Sequence, residues 1–169
     1  AETPFSGAEL NLEGAVVVED SLLLFHRGNG APEAERAPVN ATAELSLSAF
    51  VAWLDRGAPL PPLARVTQYD LGRTNGVPFT FTDAALSADG RVVFIACAEA
   101  SPDTVRDGDV LGCRFGVIEP DAVRLAEVHD ADGELTRLKL EGIEPVPSVS
   151  RLFDVVADMD RPDEAAVLA

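Results

Sequence analysis

Glu13-Gly14-Ala15, Asp83-Ala84-Ala85 and Glu141-Gly142-Ile143 repeat one signature, a carboxylate followed by small and apolar residues and then, a short way on, by a strongly apolar run. The copies are spaced by 70 and 58 residues. Acids recurring at one point of a repeated unit can be gathered into one cleft, where they repel each other. They coexist by taking a divalent cation, by pairing with arginine, or by holding protons at raised pKa values. Glu13, Asp83 and Glu141 are therefore candidate metal ligands, and an oxygen-rich set without thiolates points to calcium or magnesium rather than zinc or copper. His26, Arg27, Glu99, Asp158 and Asp160 fall at the far ends of the second strands of the same units and are candidate ligand-binding groups. The alternative is structural: each acid accepts backbone N–H bonds in its own unit, and Arg27 or Arg161 neutralises the remainder.

Other chemistry finds little support. The chain has no Gly-x-Ser-x-Gly elbow, no His-Glu-x-x-His and no Cys-x-x-Cys, and Gly28-Asn29-Gly30 lacks the lysine and hydroxyl of a phosphate loop. Asp103, Asp107 and Asp109 lack the spacing and terminal glutamate of an EF-hand and read as a solvated turn. Asn40-Ala41-Thr42 matches a glycosylation triplet, a pattern common by chance. His129 reads as a surface residue, and Trp53 and Tyr69 as packing anchors.

The elements that must position these groups are almost all strands. Ala15 to Val18 and Leu22 to Phe25 flank the turn pair Glu19-Asp20, a hairpin signal. Ala84 to Leu86 and Val92 to Cys97 flank Asp89-Gly90, which supplies a positive-φ turn position. Val110 to Ile118 and Val123 to Val128 follow as strands, Asp132-Gly133 turns the chain towards Leu135 to Leu140, and Phe153 to Ala157 is the apolar strand of the third copy. Ser48 to Arg56 is the one helix candidate, with Ser48 as N-cap, Phe50, Val51 and Leu54 on one face and Gly57 as the stop. Ala64 to Leu71 reads as a fourth strand, and Gly28 to Pro38 as a long polar loop.

Four-stranded units recurring at these intervals predict an all-β fold of β-propeller blades, with units at 11–78, 79–138 and an incomplete 139–169 in a single partial domain. A sandwich has no reason to repeat an acid and a small residue at each such boundary. A propeller does, because its innermost strands crowd around one channel. Three blades do not close a ring, so the reading expects about half of a six-bladed propeller, completed by a missing N-terminal half or by self-association.

Composition bounds the partners. Twenty-nine acidic against thirteen basic residues give a net charge of −16, which disfavours nucleic acid and anionic membrane surfaces. No apolar run has the length of a membrane helix and no targeting signal is visible, so the expected location is cytoplasmic. Cys97 and Cys113 are expected to face each other across a hairpin as buried thiols, because a disulfide between directly opposed strands is strained.

A resemblance rests on Leu12-Glu13-Gly14-Ala15, Leu23-Leu24-Phe25-His26-Arg27-Gly28-Asn29-Gly30, Asp89-Gly90-Arg91 with Ala96-Cys97-Ala98-Glu99, Lys139-Leu140-Glu141-Gly142-Ile143, and Ala157-Asp158-Met159-Asp160. These resemble the C-terminal half of an uncharacterised bacterial six-bladed propeller family, related in pattern to phytase-like and esterase-like propellers. The resemblance implies further blades before Ala1. The functional expectation is a small-molecule or divalent-metal site built from axial carboxylates. Its alternatives are a metal-dependent phosphatase, esterase or lactonase-like hydrolase, in which a cation polarises a phosphate or ester, and a non-catalytic scaffold or protein-binding propeller.

Overall fold

The computed structural model describes residues 3–33, 35–101, 108–147, 149, 151–159 and 167–168. Asp103, Asp107, Asp160 and Arg161 lie outside the described residues. The chain is all-β, built of antiparallel sheets that do not close into a barrel. The first sheet is a meander of β1 (Leu12–Val18), β2 (Ser21–His26), β3 (Asn40–Ser46) and β4 (Ala64–Tyr69). After the small hairpin of β5 (Arg73–Thr74) and β6 (Val77–Pro78), the second sheet repeats the meander with β7 (Thr80–Leu86), β8 (Val92–Glu99), β9 (Val110–Glu119) and β10 (Ala122–Glu127). The third holds β11 (Lys139–Pro145), β12 (Phe153–Asp158) and β13 (Val167–Leu168).

The sheets pack face to face in chain order. Val16 and Phe25 of the first sheet meet Phe81, Ala84, Phe94 and Ala96 of the second. Three phenylalanines are stacked edge-on at the centre, Phe81 lying 5.1 Å from Phe25 and 4.8 Å from Phe94. Tyr69 packs edge-on against Phe81 at 5.6 Å, the anchoring role expected of it. A second apolar layer joins Val93, Ile95 and the two cysteines to Leu140, Ile143 and Ala157 of the third sheet. First strands β1, β7 and β11 lie side by side without hydrogen-bonded pairing. There the approach is close: a Cβ added to Gly14 would sit 3.1 Å from the Ala84 nitrogen, which explains why a small residue recurs at this point.

Each first strand carries a β-bulge at the same place. The ladder skips between Leu12 and Gly14, between Phe81 and Asp83, and between Leu140 and Gly142, so the extra residues are Glu13, Thr82 and Glu141. This corrects the sequence alignment of the repeat, since Asp83 stands level with Gly14 and Gly142, one residue past the bulge. A one-residue displacement turns a strand side chain to another direction, and Asp83 accordingly reaches β11 rather than the position taken by the two glutamates.

Two local expectations are corrected. Helix α2 (Leu47–Arg56) is capped by Ser46, whose hydroxyl accepts the Ala49 N–H at 3.3 Å, while Ser48 donates its own N–H to Asp20 at 3.1 Å. The helix buries none of its residues, and Trp53 is 38% exposed rather than a core anchor, stacking only on Phe50. Cys97 and Cys113 are directly opposed on β8 and β9, and their sulfurs are joined in a disulfide where free thiols were expected. No described helix is long and apolar enough to cross a membrane.

Candidate functional site

Arg27 follows β2, and its side chain reaches the first strands of the second sheet. Its backbone N–H donates to the Asn11 carbonyl at 2.8 Å, which extends the β1–β2 ladder by one pair and turns the side chain towards β7 and β8. The guanidinium donates from Nε to the Thr80 hydroxyl at 3.2 Å and from an η-nitrogen to Glu99 at 2.6 Å, and lies 3.6 Å from Glu13. Arg27 and Glu99 are 5% and 6% exposed, so this is an ion pair withdrawn from water. The second Glu99 oxygen accepts the Gly108 N–H at 2.9 Å. Glu13 also accepts from the Asn11 amide at 2.9 Å, and the same amide nitrogen holds Asn29 at 3.1 Å.

Glu141 occupies in the third sheet the bulge position that Glu13 occupies in the first. Lys139, two residues before it, lies 3.2 Å from its carboxylate. Burial pushes the Glu141 pKa up, and Asp158 adds to the rise, while Lys139 and the Arg27 charge oppose it. Arg27 is thus electrostatically shared by acids of all three sheets. Asp83 accepts the Ile143 N–H at 2.9 Å and so ties the second sheet to the third. Its pKa is also raised, first by burial and then by the charges of Glu144 and Glu13, against the Ile143 and Ala84 N–H groups that favour the anion.

Glu13 and Glu99 thus meet Arg27 directly, Glu141 feels its charge from the third sheet, and Asp83 is turned aside to the Ile143 N–H. His26 is not part of this cluster. As the residue just before Arg27, at the end of β2, it points to the opposite face, where it is fully buried against Phe5 of the short helix α1 (Thr3–Ser6), with ring centroids 5.5 Å apart. Its Nδ1 meets the Asn11 backbone at 2.8 Å, Nε2 has no well-formed hydrogen bond, and burial lowers the pKa against the pull of the Asn11 and Ser6 carbonyls. A neutral, structural imidazole results. His129 is exposed, and Asp158 is exposed at the end of β12.

Sequence reasoning passed over Asn11, Thr80 and Lys139, which hold the same register position one residue before the first bulged pair in each sheet. The signal was present in their opposition to Arg27, Cys97 and Asp158, the residues that close each β1–β2, β7–β8 and β11–β12 pair. Asn40 was read as a chance glycosylation triplet. It is buried, its amide donating to the Phe79 carbonyl at 2.8 Å and accepting the Phe81 and Gly28 N–H groups, each at 3.2 Å, so it bonds the first sheet to the second.

Beside the ion pair lies a cleft of about 260 Å³, lined by Gly28 to Ala31, Pro38, Pro78, Thr80 and Glu99. The cluster can hold charge at fixed positions and offer carboxylate oxygens to a cation. Among the described residues, no three His, Cys, Asp or Glu side chains converge as metal ligands. Internal partners already engage one oxygen of Glu13, Asp83 and Glu141 and both oxygens of Glu99, so these residues do not form a ready cage for a bare divalent ion. No curated protein and no solved structure matches the chain. The model of DUF6910, a family of unknown function, matches residues 1–162, and the protein belongs to that family.

Proposed function

We propose that the three sheets are blades of a partial β-propeller and that the ends of their first strands form a binding site for a small cation. Two features support the propeller reading: the repeated four-strand meander and the side-by-side first strands with a bulge at a common level. One observation carries the ligand reading. Five carboxylates, of Glu13, Asp83, Glu99, Glu141 and Asp158, share a region with only two described cations, Arg27 and Lys139. Burial first, and neighbouring carboxylates second (Glu144 and Glu13 at Asp83, Asp158 at Glu141), raise the pKa values of Asp83 and Glu141, so part of the cost of holding these anions is mutual repulsion. A cation entering this field relieves that repulsion.

Calcium or magnesium, keeping much of its water, is the occupant to test first, because a hydrated ion needs fewer direct protein ligands. The assay is thermal unfolding with each chloride salt at constant ionic strength. At about 100 times its Kd an ion that binds only the folded state stabilises by about 2.7 kcal/mol, which for a chain of this size raises the Tm by roughly 5–10 °C. Glu141→Gln is expected to remove most of that rise. A melting curve indifferent to calcium, magnesium and a quaternary ammonium salt would leave the cluster a structural network and end the ligand reading.

A further inference from the structure

We propose a second binding site, for a small carboxylate with an aryl or alkyl tail, in the wedge between the second and third sheets. A cavity of about 440 Å³ opens there, within the usual size of small-molecule sites. One wall is apolar: Val93 is buried, and Phe115, Val117 and Phe153 are half-buried, with the two phenylalanine rings tilted 5.3 Å apart; Ser87 and Asp89 also line the cavity. Two arginines line the same cavity, and they differ. Arg91 is engaged by Asp89, at 3.0 Å from Nε and 2.7 Å from an η-nitrogen. Among the described residues Arg151 has no ion pair or side-chain hydrogen bond, in a chain where acids outnumber bases by more than two to one.

Arg151 is also held at φ 68°, in the left-handed region that a side chain of this size rarely adopts. The turn containing it is closed by the Val146 N–H on the Leu152 carbonyl at 3.0 Å. A cation kept in a costly backbone conformation at the edge of an aromatic-floored cavity is a functional arrangement to be tested. The corresponding wedge between the first and second sheets provides an internal contrast. That groove is larger, about 1040 Å³, and Glu19, Glu44, Asp70, Glu119 and Asp121 line it against two arginines that are already paired, Arg65 with Glu44 and Arg91 with Asp89. An organic anion would be repelled there. In the second wedge its carboxylate meets Arg151, and its tail covers Phe115, Phe153 and Val117.

Titration of the whole chain with phenylbutyrate, followed by amide and aromatic NMR shifts, tests the proposal. Saturable shifts are expected at Phe115, Phe153 and Arg151, with the neutral analogue phenylbutanol at least about tenfold weaker, the loss expected when one charge-assisted contact is removed. Arg151→Gln, an exposed substitution that leaves the core intact, should weaken phenylbutyrate to the level of the alcohol. Equal binding of acid and alcohol, an unchanged affinity in Arg151→Gln, or the absence of saturable shifts at these residues would each overturn it. Phenylbutyrate binding does not involve the Glu13–Arg27–Glu99 cluster, so Glu141→Gln should leave it unchanged, and the two sites fail or stand separately.

Discussion

Replacing Arg27 by methionine isolates the energetics of the cluster. The substitution keeps most of the aliphatic volume and removes the positive charge from a position that is 5% exposed. Glu99 then remains 6% exposed without its 2.6 Å partner, retaining among the described residues the Gly108 N–H, while the Thr80 hydroxyl loses a donor and Glu13 loses the cation 3.6 Å away. Breaking a buried pair from one side costs about 3–5 kcal/mol, most of it the penalty of an unpaired buried charge. Glu99→Gln should cost less, roughly 1–2 kcal/mol, because its amide oxygen can still accept a hydrogen bond and Arg27 keeps Glu13 nearby. The double variant Arg27→Met/Glu99→Gln should be markedly more stable than the sum of its parts predicts, since no charge is then stranded. Urea unfolding of the four proteins gives the cycle directly. A loss below about 1 kcal/mol in Arg27→Met, or additivity within about 0.5 kcal/mol, would refute the reasoning, because a pair truly withdrawn from water cannot behave so.

The pH dependence should carry two opposed contributions. Asp83 and Glu141, with raised folded-state pKa values, bind protons more readily when folded; their contribution to stability therefore falls as pH rises from the ordinary carboxylate range through the raised values, and Asp83→Asn should flatten that part of a stability-versus-pH curve. His26 has a lowered folded-state pKa, so the unfolded chain takes the proton first and stability drops as pH falls below about 6.5; His26→Phe should abolish this acid-side loss in the same titration. Gly116 lies directly opposite Phe94, whose ring covers its Cα, and a methyl group there would collide with the ring; Gly116→Ala should lower stability by about 1–3 kcal/mol in urea unfolding. Under non-reducing conditions the intact mass should be lower by one pair of hydrogens than after reduction, reporting the Cys97–Cys113 bond.

Much of this protein could be read before any coordinates. Alternating and continuous apolar runs separated by Glu19-Asp20 and Asp89-Gly90 specify strands and hairpins locally, because turn backbone and strand periodicity are properties of short segments. Asp132-Gly133 instead closes an isolated bridge between His129 and Leu135, and the strand expected over Leu135 to Leu140 begins at Lys139. The recurrence of an acid beside a small residue also identified the region where the first strands crowd together, since close backbone approach admits little beyond glycine or alanine. Helix α2 was visible for the same local reasons, and its cap was misplaced by two residues because both Ser46 and Ser48 can serve chemically. The choice depended on Asp20, which is distant in sequence and engages Ser48.

What only the tertiary structure decided was direction and partnership. A bulge adds one residue to a strand, and its position depends on which residue of the neighbouring strand is paired, so the sequence could not show that Asp83 is out of step with Glu13 and Glu141. Adjacent residues point to opposite faces, which sent His26 to a buried contact with Phe5 and left Arg27 as the hub of the acids. Composition and local pattern determined that acids and strands recur. Long-range packing brought Arg27 to Glu99 and Thr80, because the sheets that set those distances join residues 72 and 53 positions apart in the chain.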